Sequence, residues 1–179
     1  MQRTDRGFSL IELLLTVAVA ATLLAIGVPV LRDVNEGSKL AAAAREVERE
    51  LQSARLRAVT MNRSLRVRLN CPAAGYYRTV EVLVTAADNA ADRCLLGPYP
   101  YPPDNDVTTR PNNDGPVRVL PDGATVTTAI LEFRPDGTSY QVVANVAQTI
   151  VAPLTITVTR NSKSKAMTVN GTGKIQYQQ

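Results

Sequence analysis

Gly7-Phe8-Ser9-Leu10-Ile11-Glu12-Leu13-Leu14-Leu15-Thr16 opens an apolar run that continues to Leu31. Between Phe8 and Leu31 the only charged side chain is Glu12. As a helix at about 1.5 Å per residue this stretch is roughly 36 Å long, enough to cross a hydrocarbon layer of about 30 Å with some tilt. The residues before it, 1–7, are polar and carry Arg3 and Arg6 against Asp5. A basic flank ahead of an apolar helix keeps the N-terminus on the cytoplasmic side and sends the rest of the chain across. A carboxylate inside a span costs about 2.5–3.5 kcal/mol on insertion scales, so Glu12 is expected to have a purpose. An ordinary secretory signal cut near Ala18-Val19-Ala20 is the competing reading. It explains neither Glu12 nor the apolar residues that follow Ala20.

The pattern changes at Arg32. Leu40, Ala44, Val47, Leu51, Ala54 and Ala58 recur at alternating spacings of three and four, the period of one helix face. Charged residues from Arg45 to Arg55 cover the other faces. One helix of about 50 residues is therefore expected, with an apolar half over 8–31 and an amphipathic half over 32–61. Pro29 removes a backbone donor late in the apolar half and is expected to kink it.

After Met61 the period falls to two. Leu65, Val67 and Leu69 alternate with Arg66 and Arg68, a strand with one polar face. Further strands are expected over 77–85, 117–119, 124–128, 129–134, 139–143, 154–160, 166–170 and 174–177. Pro121-Asp122-Gly123, Pro135-Asp136-Gly137 and Asn170-Gly171 supply turns. Residues 86–116 are rich in Pro, Asp and Asn and read as a long irregular loop. One helix followed only by strands predicts an α+β domain, a helix lying on an antiparallel sheet, with residues 62–179 as the β-rich part.

The chain has 179 residues with no His and no Trp. Imidazole-based nucleophile pairs, bases and metal sites are thereby excluded. No carboxylate pair stands out as an acid–base couple, and neither enzymatic activity nor a cofactor nor a metal is expected. Asp104, Asp106 and Asp114 with their neighbouring Asn residues do not have the spacing of a calcium loop and read as solvated turn residues. Gly171-Thr172-Gly173-Lys174 lacks the rest of a phosphate loop and reads as a hairpin turn.

Charge is strongly segregated. Residues 51–80 hold Arg55, Arg57, Arg63, Arg66, Arg68 and Arg78 with no acid, whereas 81–136 are acidic in balance. The simplest reading of the basic block is a solvated helix face and strand edges. Cys71 and Cys94 are the only cysteines. Paired, they would close a loop of about 24 residues worth roughly 3–4 kcal/mol in the chain-entropy model, and they suit an oxidising compartment. The alternative is two unrelated buried thiols.

The quoted N-terminal stretch resembles the class III signal of type IV prepilins and type II secretion pseudopilins. That resemblance implies cleavage by prepilin peptidase between Gly7 and Phe8, making 1–7 a leader, and N-methylation of Phe8. It implies that Glu12 serves filament assembly and that Pro29 bends the helix. Ala54-Arg55, Ala58, Asn62-Arg63, Leu120-Pro121-Asp122-Gly123, Leu131 to Gly137 and Gly173-Lys174-Ile175 are similar to the GspH/FimT family of minor pilins. The implied fold is pilin-like. The implied protein is a single-pass inner-membrane subunit with a periplasmic domain, whose partners are other pilins or pseudopilins. Two machines use such subunits: the type II secretion pseudopilus, the first expectation, and the type IV pilus, the alternative. Some pilus relatives bind DNA through a Gly-Arg-x-Arg-like motif. The matching place here holds Lys174 and Gln176. Lys163, Lys165 and Lys174 are the remaining candidates for a DNA or partner patch. A lysine lacks the bidentate fork, so DNA is the weaker expectation.

Overall fold

The computed structural model describes residues 9–101 and 112–178. Gly7 and Phe8 therefore lie outside the described residues, as do Asp104 and Asp106. The chain divides into two compact units, Met1–Ser38 and Lys39–Gln179.

A single helix, α1 (Leu10–Met61), runs through Pro29 without interruption. In the first unit its side chains from Leu10 to Ile26 are all exposed, as suits a helix whose surroundings are apolar. Thr16 and Thr22 turn their hydroxyls back to the carbonyls of Leu13 and Val19, both at 2.8 Å, so neither donor is left unpaired.

In the second unit α1 buries Leu40, Ala43, Ala44, Val47, Leu51, Ala54 and Ala58. This is the stripe read from the spacing, with Ala43 added. Small residues at most of these positions let the helix axis approach the strands closely. The strands are β1 (Leu65–Leu69), β2 (Tyr76–Glu81), β3 (Arg118–Val119), β4 (Thr125–Val126), β5 (Ile130–Phe133), β6 (Ser139–Val143), β7 (Val146–Thr149), β8 (Leu154–Arg160), β9 (Lys163–Val169) and β10 (Ile175–Tyr177). All pairings are antiparallel.

They form two sheets rather than the one expected. The larger has the order β3-β2-β1-β5-β6-β7 and the smaller the order β10-β9-β8-β4. Leu65, Val67, Leu69, Leu131 and Phe133 of the first and Ile156, Val158, Met167 and Val169 of the second meet the helix stripe in one core. Strand β7 has no counterpart in the sequence reading. Three of its four residues are exposed and it shows no alternation, so no periodic signal marks it.

Candidate functional site

Glu12 lies in the first turn of α1, where a negative side chain is favoured by the helix dipole. The turn begins with the Ser9 carbonyl accepting from the N–H groups of Glu12 (3.0 Å) and Leu13 (3.1 Å). Around the carboxylate stand Leu10, Ile11, Leu13, Leu14 and Leu15, each more than half exposed. A lone carboxylate in such a band is a poor match for lipid.

The basic block 51–80 does something other than dissolve in water. Strand β1 is buried on both faces. One face, Leu65, Val67 and Leu69, packs on the core. Arg66 and Arg68 point to the opposite face and are covered by the chain that follows β2. The Arg66 guanidinium pairs with Glu132 on β5 at 2.9 Å and donates to the Asp88 carbonyl (3.2 Å) and Asn89 Oδ1 (3.0 Å). Arg68 donates to the Ala90 carbonyl at 3.1 Å, and burial, with Arg66 and Arg93 nearby, pulls its pKa down. For Arg66, Arg68 and Arg78 the expectation of a solvated basic face is corrected here, whereas Arg63 is exposed. The arginines form the floor on which the loop is laid.

The loop is fastened by two further arginines, Arg78 on β2 and Arg93 within the loop, both fully buried. Arg78 donates to the carbonyls of Gly115 (2.8 Å), Arg93 (3.4 Å), Leu95 (3.2 Å) and Tyr99 (2.7 Å). Burial lowers its pKa, against the opposing pull of Asp114. Arg93 grips both carboxylate oxygens of Asp114 and reaches the Glu81 carbonyl at 3.1 Å. The Tyr99 ring lies over its guanidinium, 4.5 Å away. Asp114 also accepts from the Glu81 N–H at 2.8 Å. Asp114 is thus no solvated turn residue: it is 1% exposed and holds the returning end of the loop to β2. Cys94, next to Arg93, is joined to Cys71 by a disulfide with Cα atoms 5.7 Å apart. None of Arg66, Arg68, Arg78, Arg93 or Glu132 was singled out as a pair from the sequence. The available signal was the segregation itself, six arginines without an acid followed by an acidic stretch that supplies Glu81, Glu132 and Asp114 to three of them.

A second polar network lies along α1. Tyr77 donates to Glu46 Oε1 at 2.8 Å, and Arg118 approaches Glu46 (3.8 Å) and Glu50 (3.4 Å). Burial, with Glu46 and Glu50 alongside, pushes the Tyr77 hydroxyl well above its usual pKa. Tyr177 is pushed up to about 12 by burial and by Glu48.

The three candidate lysines are not gathered into one place. Lys163 and Lys165 begin β9, whereas Lys174 precedes β10, whose Ile175 pairs with Val169 at the far end of β9. At about 3.3 Å per residue, five or more residues of strand put Lys174 roughly 17 Å or more from the other two. Gly173 beside it has φ +76, and a Cβ there would meet the Gly137 carbonyl oxygen at 2.4 Å and Arg55 Nε at 2.5 Å. Arg55 ties the same place together through the carbonyls of Gly137 (3.0 Å) and Thr172 (3.1 Å). The Gly171–Lys174 segment is a tight turn packed against α1.

Comparison with known proteins adds two family matches. The model described as type II transport protein GspH matches residues 43–173, and the prokaryotic N-terminal methylation motif matches residues 2–28. No curated protein matches the chain. Two crystal structures of the type IV minor pilin FimU from Pseudomonas aeruginosa resemble it in fold. One, at 17% identity and TM-score 0.46, covers 78% of this chain and 93% of that one. The other, at 18% and 0.49, covers 82% and 92%.

Proposed function

Since the chain belongs to the GspH family, a family of structural pilin and pseudopilin subunits, we propose that it is a minor pseudopilin of a type II secretion filament. The GspH match over the second unit carries this reading. The methylation-motif match and the exposed apolar helix around Glu12 support it. In this reading residues 1–7 are removed by prepilin peptidase and Phe8 becomes a methylated N-terminus. The first half of α1 holds the protein in the inner membrane, with Lys39–Gln179 in the periplasm. During assembly the Glu12 carboxylate neutralises the cationic Phe8 amine of an adjacent subunit. Each charge loses an unfavourable burial, and the pair sets the axial register of the helices.

The test is made in the native host. The tagged wild-type chain is expected to be processed and to co-purify with other filament subunits. Glu12→Ala is expected to be processed equally well but to be lost from the filament fraction. Normal incorporation of the Glu12→Ala protein would refute the pairing. Deleting the chain is expected to lower protein secretion while surface pili persist. The reverse pattern would assign the subunit to a pilus.

A further inference from the structure

Strands β3 and β7 end the larger sheet, and β10 and β4 end the smaller. Exposed edges invite pairing, and proteins blunt them by shortness, charge or proline. Strands β3 and β4 have two residues each and β10 has three. Arg118 opens β3, which lies between Pro116 and Pro121, and Lys174 directly precedes β10. Strand β7 is the longest of these edges, Val-Ala-Gln-Thr, and has none of these protections. From residue 137 to residue 159 no side chain is charged. Val143, Val146 and Val151 are 42%, 60% and 96% exposed.

The hairpin fixes which backbone groups face outward. Ala144 and Asn145 have φ +47 and +67, a two-residue primed turn. Val143 and Val146 are therefore a hydrogen-bonded pair, and so, two residues on, are Gln141 and Gln148. The N–H and C=O groups of Ala147 and Thr149 consequently point away from β6, with no strand beside them among the described residues.

A second observation lies next to this edge. Val84 is 91% exposed at φ +57, an unusual conformation for a β-branched residue. Asp88 holds it there by accepting from the N–H groups of Leu83 (2.8 Å) and Thr85 (3.2 Å) on either side. Val84 and Ala147 line the same open cleft. A built loop thus presents an apolar side chain beside the open edge of a strand.

We propose that β7 is a homotypic docking edge, which a second copy of this chain covers with its own β7. The absence of charge across 137–159 offers nothing to select a charged partner. The same segment in a second copy is itself uncharged, extended and unpaired on its outer side, which is the self-complementarity a two-fold contact requires. With the axis at Gln148, Ala147 and the partner's Thr149 form a hydrogen-bonded pair, and the symmetric pair forms with them. Gln148 then stands opposite the partner's Gln148 at a Cα separation of about 4.5 Å. The contact uses only the Lys39–Gln179 unit and is independent of Glu12, so it stands or falls separately from the filament reading.

The test uses the full chain in detergent micelles. Gln148 is exposed, so substitutions there leave the fold alone. Gln148→Cys places two thiols at a separation suited to a disulfide and is expected to oxidise to a covalent dimer. Thr125→Cys, also exposed and on the β4 edge, is the control for random encounter and is expected to form no covalent dimer. Gln148→Lys puts like charges directly opposite and is expected to shift the mass measured by light scattering from dimer to monomer. Three results would each overturn the proposal. These are failure of Gln148→Cys to cross-link, cross-linking no greater than that of Thr125→Cys, and an unchanged mass for Gln148→Lys.

Discussion

Asp114→Ala is the sharpest test of how the loop is held. The substitution removes the carboxylate that faces two fully buried guanidiniums, Arg93 in bidentate contact and Arg78 at 4.0 Å. It also removes the acceptor of the Glu81 N–H. Breaking a buried pair by deleting one partner costs about 3–5 kcal/mol, because the other charge is left uncompensated in a low-dielectric site. For a protein of this size about 1 kcal/mol moves Tm by roughly 2–4 °C, so a fall of about 10 °C is expected. The two arginines are not equivalent. Arg78 retains four carbonyl acceptors without Asp114, whereas Arg93 keeps, among the described residues, only the Glu81 carbonyl and the Tyr99 ring. In double-mutant cycles followed by urea unfolding, Arg93→Met is therefore expected to couple to Asp114→Ala more strongly than Arg78→Met does. A loss below about 1 kcal/mol for Asp114→Ala, or equal coupling to both arginines, would refute the view that this pair fastens the loop.

Other outcomes follow from the same contacts. Replacing Cys71 and Cys94 by Ser is expected to cost about 3 kcal/mol in urea unfolding, and hydrogen exchange is expected to rise first in the loop around Cys94. Tyr77→Phe is expected to lose about 1 kcal/mol at neutral pH with its hydrogen bond to Glu46. The folded-state pKa of Tyr77 is raised, so its contribution is present below the unfolded value of about 10 and is lost as pH rises above it. Tyr177 adds to the same alkaline loss, and the Tyr77→Phe protein should show a shallower decline between pH 10 and 12 in thermal melts. Gly173→Ala forces a Cβ against the Gly137 carbonyl at a positive φ and is expected to destabilise by more than about 1 kcal/mol, read as a lowered Tm.

The helix and most strands were legible in the sequence, because both depend on local periodicity. Leu40 to Ala58 repeat with the helix period whatever lies opposite, and Leu65, Val67 and Leu69 alternate whatever covers them. The N-terminal motif was equally legible, since a carboxylate alone in an apolar run is anomalous in any context, and residues 2–28 match the N-terminal methylation motif. What the arginines do depends on contacts between distant parts of the chain. Arg66, Arg68 and Arg78 look in sequence like the outward face of a half-exposed sheet. They are buried because residues far along the chain, Asp88 to Leu95 and Asp114, fold back over them. The same holds for the division into two sheets and for β7. These are fixed by which strands find partners across long separations, and periodicity within a single strand carries no information about its neighbours.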